Sequence, residues 1–139
     1  MRRLQPSALL VAACGVWLLA LGTYFIFVRP PLLPEDVRFL GGNQQALAAI
    51  TSRLERWLKL VFTVMGGFVA STGVLTVYVA LTALARRSRS AAIVSAASTV
   101  FSLCLMSAVN FVLGSDFRWL LVVPPSIGLL AIACYVRGR

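Results

Sequence analysis

Four apolar runs divide the sequence, and each is long enough to cross a lipid bilayer as a helix. A helix rises about 1.5 Å per residue, so a hydrocarbon layer of about 30 Å needs about 20 residues. The predicted spans cover residues 8–28, 57–85, 91–113 and 117–136. Only "ARRSRS" and "GSD" separate the last three, and connections this short make neighbouring helices antiparallel. The sequence therefore predicts an all-α, integral membrane four-helix bundle that forms one transmembrane domain.

The balance of residue types agrees with exposure to lipid. Of the 139 residues, 60% are apolar and 12% are charged, whereas about a quarter of a soluble domain is charged. A soluble chain of this size could not bury so many apolar side chains, because small domains have a high surface-to-volume ratio. The first run follows Arg2 and Arg3, as in a secretory signal. It is longer than the apolar region of a signal, so we expect an uncleaved anchor.

The distribution of charge predicts the orientation. With both termini in the cytoplasm, the cytoplasmic segments hold seven basic residues and no acid: Arg2, Arg3, Arg86, Arg87, Arg89, Arg137 and Arg139. The other side holds six basic residues and all four acids: Arg29, Arg38, Arg53, Arg56, Lys59 and Arg118, with Glu35, Asp36, Glu55 and Asp116. Crowding of the first set into short segments favours this orientation, and favours contact with anionic lipid over nucleic acid. The heavy use of Arg over Lys, together with much Ala, is typical of a GC-rich bacterial genome.

The connector between the first two spans, residues 29–56, begins with a predicted short helix. Pro34 suits the first helical position, and Glu35 and Asp36 follow in the first turn, where the helix dipole favours negative charge. Arg38 lies three residues after Glu35 and can pair with it. Helix formation explains this acidic stretch, and a docking surface for a partner is the alternative.

A second, amphipathic helix is predicted in the same extracytoplasmic connector. Gly41 can end the short helix, and Asn43 can cap the next one. Apolar side chains then recur every three or four residues: Leu47, Ile50, Leu54, Trp57 and Val61. This helix can lie in the membrane interface, or it can continue into the second span with only Gly66 and Gly67 as a point of interruption.

Small residues recur within the spans and would allow helices to approach closely. They include Gly15 and Gly22 in the first run, Gly66, Gly67, Ala70, Ser71 and Gly73 in the second, and Ser95, Ser98, Thr99 and Ser102 in the third. Packing within the bundle explains these patterns. A dimer seam or a lipid groove is the alternative.

Two polar or irregular features lie within the predicted spans. Asn110 carries an amide that needs a partner in an apolar environment, from another helix or from a ligand. Pro124 and Pro125 remove two amide donors and predict a kink in the fourth span, beside Ser126. Broken helices can instead line a substrate site, and a gap here could hold water or a lipid headgroup.

The residues needed for catalysis, metal binding or proton coupling do not form a recognisable pattern. The sequence has no His, and Lys59 is the only Lys. No ionisable residue lies deep in a span, whereas proton-coupled transporters need one. The three cysteines Cys14, Cys104 and Cys134 have no metal-ligand or disulfide spacing. We therefore expect no enzyme, no cofactor and no metal.

Three stretches carry a family resemblance: "LPEDVRFLGG", "LERWLKLVFTVMGGFVASTGVLTVY" and "VNFVLGSDFRWLL". They resemble an uncharacterised family of small bacterial integral membrane proteins with four spans and an LPEDxxFLG-type outer connector. The resemblance covers about half of the chain and implies a bacterial inner-membrane location. It implies no activity, because none is assigned to that family.

These observations favour a non-enzymatic interaction or accessory protein. Its partner would be another membrane protein or a second copy of the chain, in addition to membrane lipid. The alternative is a carrier or binding protein for a lipid or small hydrophobic molecule, which would use Asn110 and the Pro124–Pro125 break.

Overall fold

The computed structural model describes residues 5–39 and 51–138, and within these ranges the chain is helical and contains no strand. The α-helices are α1 (Pro6–Phe27), α2 (Pro34–Phe39), α3 (Thr51–Val79), α4 (Arg89–Ser98), α5 (Leu105–Val112) and α6 (Val123–Arg137). Two π-helical turns, Ala80–Leu84 and Thr99–Cys104, extend α3 and join α4 to α5. A 3-10 turn, Leu120–Val122, leads into α6.

Four of the resulting helical segments are long and apolar enough to cross a membrane. They are span 1 (Pro6–Phe27), span 2 (Ser52–Leu84), span 3 (Arg89–Val112) and span 4 (Leu120–Arg137). The protein is therefore a multi-pass, all-α membrane bundle, and the predicted fold class is confirmed.

The bounds of two spans differ from the sequence-based ones. Helix α3 runs unbroken from Thr51 through Gly66 and Gly67, so the described end of the amphipathic segment is continuous with span 2. The predicted cap residues Gly41 and Asn43 lie outside the described residues. Residues 117–119 form a turn rather than the start of span 4.

The bundle has two distinct ends. At one end, the Arg87 guanidinium bonds both the Gln5 side chain and the Gly138 carbonyl, so the two ends of the described chain meet the turn between spans 2 and 3. We call this the arginine end, after Arg86, Arg87, Arg89 and Arg137. The opposite end carries α2 and the turn between spans 3 and 4, and we call it the connector end.

Span 1 packs closely along span 2 through glycines. A Cβ atom added to Gly22 would lie 2.6 Å from the Gly66 carbonyl oxygen, and one added to Gly73 would lie 2.7 Å from that of Gly15. Real Cβ atoms essentially never approach so closely, so the two backbones require glycine at these positions. Packing within the bundle is thus confirmed for this set of small residues.

Spans 3 and 4 complete the core. A Cβ added to Gly128 of span 4 would lie 2.6 Å from the Thr99 methyl carbon of span 3. Deeper in the bundle, Leu103 of span 3 packs with Cys14 and Leu18 of span 1. The described hydroxyls of Thr99 and Ser102 bond carbonyls of their own helix, so span 3 is held mainly by apolar contact and close approach.

Candidate functional site

Helix α2 begins as its sequence predicts, with Glu35 and Asp36 in its first turn. The Asp36 carboxylate accepts a hydrogen bond from the Leu33 amide at 2.9 Å, which satisfies a donor just before the helix. Pro34 lacks an amide proton, and at the first helical position this costs no hydrogen bond. The local sequence therefore accounts for where α2 starts.

Asp36 also fixes α2 to the end of span 1. Its carboxylate pairs with the Arg29 guanidinium at 3.2 Å, and the Arg29 side chain is only 9% exposed. The same guanidinium lies over the Phe62 ring, 3.6 Å from its centroid, and 5.3 Å from that of Phe25. Cation–π contact and a carboxylate together stabilise a charge at this depth.

The other two charged residues of α2 reach across to the turn between spans 3 and 4. Glu35 is buried and accepts a hydrogen bond from the Ser115 hydroxyl at 3.2 Å. Arg38 pairs with both carboxylate oxygens of Asp116, at 2.9 and 3.0 Å. The predicted pairing of Glu35 with Arg38 is therefore wrong, because each side chain bonds a residue about 80 positions later instead.

An apolar groove lies beneath α2 at the connector end. Its volume is about 190 Å³, below the few hundred cubic ångströms typical of a site for a drug-sized ligand. The lining residues are Pro31, Leu32, Asp36, Phe39, Leu58, Phe62 and Leu113. A lipid tail or a small hydrophobic molecule is the kind of occupant that such walls could accept.

Among the described residues, the hydrogen bond of the Asn110 side chain is made within its own helix. Its amide nitrogen donates to the Met106 carbonyl, one turn earlier, at 2.9 Å. The predicted bond between helices is replaced by one within α5, which gives one of the two amide protons a partner without a ligand.

The double proline does not interrupt a helix in the middle of span 4. Pro124 and Pro125 lie in the first turn of α6, where amides have no partner within the helix, so their missing donors cost little. Pro124 is fully buried, and its carbonyl accepts a weak bond from the Cys14 thiol at 3.5 Å. Ser126 bonds the Val122 carbonyl at 2.9 Å. Pro124 therefore packs against span 1 at Cys14, whereas Ser126 is exposed.

At the arginine end, Arg87 forms the centre of a polar network that the sequence did not indicate. Its guanidinium donates to the Gln5 side-chain oxygen at 2.8 Å and to the Gly138 carbonyl. Its own carbonyl accepts from the Tyr135 hydroxyl at 2.9 Å, and its guanidinium lies 5.8 Å from the Tyr135 ring centroid. Arg87 thus links span 1, span 4 and the turn between spans 2 and 3.

The backbone of Arg87 is unusual as well. Its φ is 60°, in the left-handed region that favours glycine. The Ser88 amide bonds the Ala83 carbonyl and the Arg87 amide bonds the Leu84 carbonyl, which is the pattern of a Schellman helix end. Arginine in place of glycine costs about 1–2 kcal/mol, and the bonds of its side chain offset that cost.

Helix α3 turns a continuous apolar surface away from the rest of the bundle. Trp57, Leu60, Val64 and Phe68 are each more than half exposed, and we call this surface, together with Gly67 and Ser71, the α3 face. Two residues along a helix correspond to about 200°, so Phe68 points away from Gly66 and the contact with span 1. A Cβ added to Gly67 would meet nothing within 4 Å.

Comparisons of the chain with family models, with curated proteins and with solved structures found no match. The resemblance to small bacterial four-span proteins therefore stays a prediction.

Proposed function

We propose that the protein is a non-enzymatic accessory protein of the bacterial inner membrane, with both termini in the cytoplasm. It associates through the α3 face with transmembrane helices of another protein or of a second copy. The low burial of span 2 is the observation that carries this proposal. Within the most apolar stretch of each span, 11% is buried inside the bundle in span 2, against 28% in span 1 and 33% in span 4.

The shape of the α3 face supports a protein partner over bulk lipid. Gly67 and Ser71 are small, exposed and one turn apart, and larger exposed side chains such as Val64 and Phe68 lie on the same face. Small residues at this spacing let another helix approach closely, and this close packing drives association in a membrane. Ordinary lipid contact requires no such pair of small residues.

The length of span 2 gives further support. Its 33 residues correspond to about 50 Å at 1.5 Å per residue, well beyond a hydrocarbon layer of about 30 Å. Such a helix tilts or projects from the membrane, and either state extends the surface available to a partner. The exposed Arg53, Arg56 and Lys59 occupy the part nearest the connector end.

Purification in a mild detergent tests the proposal. We expect wild-type protein to copurify with a stoichiometric membrane protein or to have the mass of an oligomer. Gly67→Leu should abolish this, because a larger side chain fits the free chain but blocks the close approach of another helix. Ala97→Leu, at an exposed position of span 3, is the matched control and should leave association intact. A monomer without a protein partner, or equal loss in both variants, contradicts the proposal.

A second candidate is a carrier or binding protein for a lipid or small hydrophobic molecule, which the groove beneath α2 favours. Its predicted contact Asn110 already bonds the Met106 carbonyl within α5, whereas the groove offers apolar walls to a ligand. Mass spectrometry of the purified protein would then detect a retained lipid that Leu113→Trp excludes. A lipid retained equally by this variant argues against the groove.

A further inference from the structure

Among residues 5–39 and 51–138, no acidic side chain lies at the arginine end beside its exposed cations. Arg86, Arg89 and Arg137 are all exposed. The four acidic side chains of the chain lie within the described residues, and all belong to the connector half: Glu35, Asp36, Glu55 and Asp116. Three guanidinium groups at this end therefore remain available to an external anion.

Hydrogen bonds of Arg87 bring the end of span 4, which carries Arg137, beside the turn that carries Arg86 and Arg89, although Arg137 is about 50 positions further along the chain. Arg86 and Arg89 flank Arg87 in the turn between spans 2 and 3. Arg87 bonds Gly138, the residue after Arg137, and accepts from Tyr135, two residues before it. Because Arg87 directs its own guanidinium at Gln5 and Gly138, it positions the cluster while its neighbours face outward.

The membrane supplies an anion at the right depth. The arginine end lies where spans 2 and 4 finish, so its side chains reach the headgroup layer of a bilayer. Guanidinium groups bind phosphate oxygens through paired hydrogen bonds, and anionic lipids attract exposed cations. We propose that Arg86, Arg89 and Arg137 form a binding site for the phosphate of an anionic phospholipid in the adjacent leaflet. This site is independent of the α3 face.

Cations at the connector end differ in ways that make them a control. Arg29 and Arg38 are paired with Asp36 and Asp116. Arg53, Arg56 and Lys59 are exposed, but they lie on one helix with Glu55 among them. Neutralising these three changes the net charge as much as neutralising the three arginines of the proposed site.

The test is native mass spectrometry of the full chain in detergent with phosphatidylglycerol and phosphatidylcholine of identical acyl chains. Wild-type protein should bind phosphatidylglycerol at least about tenfold more tightly, since each arginine near a membrane surface contributes roughly 1 kcal/mol toward anionic lipid. Combined Arg86→Gln, Arg89→Gln and Arg137→Gln should remove that preference. Combined Arg53→Gln, Arg56→Gln and Lys59→Gln should preserve most of it.

Two further measurements separate a built site from bulk charge. Tyr135→Phe removes no charge but loosens Arg137 from the turn, so it should weaken phosphatidylglycerol binding by less than the triple change. Inorganic phosphate should not displace the lipid, whose tails are held by the membrane-facing surface. The proposal is overturned by wild-type protein without a lipid preference, by equal loss in both triple variants, or by displacement with free phosphate. Wild-type protein without the preference overturns the proposal even where a variant fails to fold, and a positive wild-type result supports it only together with the contrast between the two triple variants.

Discussion

The Tyr135 hydroxyl donates a hydrogen bond to the Arg87 carbonyl across 2.9 Å, which joins the end of span 4 to the turn between spans 2 and 3. Tyr135 is also buried in an apolar cluster with Leu84 and Ala131. Polar and apolar contacts therefore stabilise the same end of the bundle, and single substitutions can separate them.

Tyr135→Phe keeps the ring and removes the hydroxyl. We expect a loss of about 1 kcal/mol in unfolding free energy, because the Arg87 carbonyl loses a donor while the packing remains. Thermal unfolding in detergent measures this loss. Tyr78→Phe, at an exposed tyrosine of span 2, should have no effect. Equal effects of the two changes would show that the bond to Arg87 is unimportant.

Substitution at Arg87 distinguishes backbone strain from side-chain bonding. Arg87→Ala loses the bonds to Gln5 and Gly138 but keeps a side chain at positive φ. Arg87→Gly loses the same bonds and relieves the conformation, so it should be more stable than the alanine variant by about 1 kcal/mol. Both are compared by thermal unfolding. An alanine variant as stable as the glycine one contradicts a left-handed Arg87.

Two glycines of α3 should respond in opposite ways to the same change. At Gly73 a methyl group would lie 2.7 Å from the Gly15 carbonyl oxygen, so Gly73→Ala should cost about 2 kcal/mol through overpacking. At Gly67 nothing lies within 4 Å, so Gly67→Ala should be neutral or stabilise the free chain by up to about 1 kcal/mol. Unfolding measured on monomeric protein tests the pair, and a similar cost at both positions would contradict the α1–α3 contact.

The two ion pairs of α2 should differ in strength. Asp116→Asn removes a pair whose side chains are 59% and 63% exposed, so the cost should stay below about 1 kcal/mol. Asp36→Asn weakens the contact to the shielded Arg29 and should cost about 2 kcal/mol. Unfolding at low and high salt measures both, and only the Asp116 effect should shrink with salt. A larger cost for Asp116→Asn than for Asp36→Asn would contradict the described contact of α2 with Arg29.

Labelling of introduced cysteines tests the proposed orientation. A thiol reagent that does not cross the inner membrane should label Gln44→Cys in intact cells and should miss Ser88→Cys. Both should react after the membrane is permeabilised. Because Cys14, Cys104 and Cys134 are present, the unmodified chain is the background control. Labelling of Ser88→Cys alone would place the arginine end outside.

The spans were predictable because their signal is local. An uninterrupted apolar run must cross the membrane as a helix, whatever it packs against, and the start of α2 likewise follows from Pro34 and the acids behind it. The small residues at Gly15, Gly22, Gly66 and Gly73 also indicated where backbones approach. Their spacing could not show which residues face a neighbour, and Gly67 belongs to the other side of the same helix.

The polar contacts were not predictable from the sequence in the same way. Arg38 selects Asp116, which is 78 residues away, over the nearer Glu35, because the turn after span 3 lies beside α2 only in the folded bundle. Arg87 occupies a helix-end position for which glycine is the usual signal. The double proline was interpreted as a break because the sequence does not show that α6 begins there, after a 3-10 turn.

The left-handed Arg87 also bears on the order of biogenesis. Spans enter a membrane from the amino terminus onward, so the turn between spans 2 and 3 is made before Tyr135 and Gly138 exist to bond it. Until span 4 is inserted, the left-handed conformation of Arg87 is not offset by these two contacts. We therefore expect the turn between spans 2 and 3 to be less stable at that stage. The arrival of span 4 therefore completes the hydrogen bonds of this turn, and a chain arrested before span 4 would lack the contacts of Arg87 with Tyr135 and Gly138.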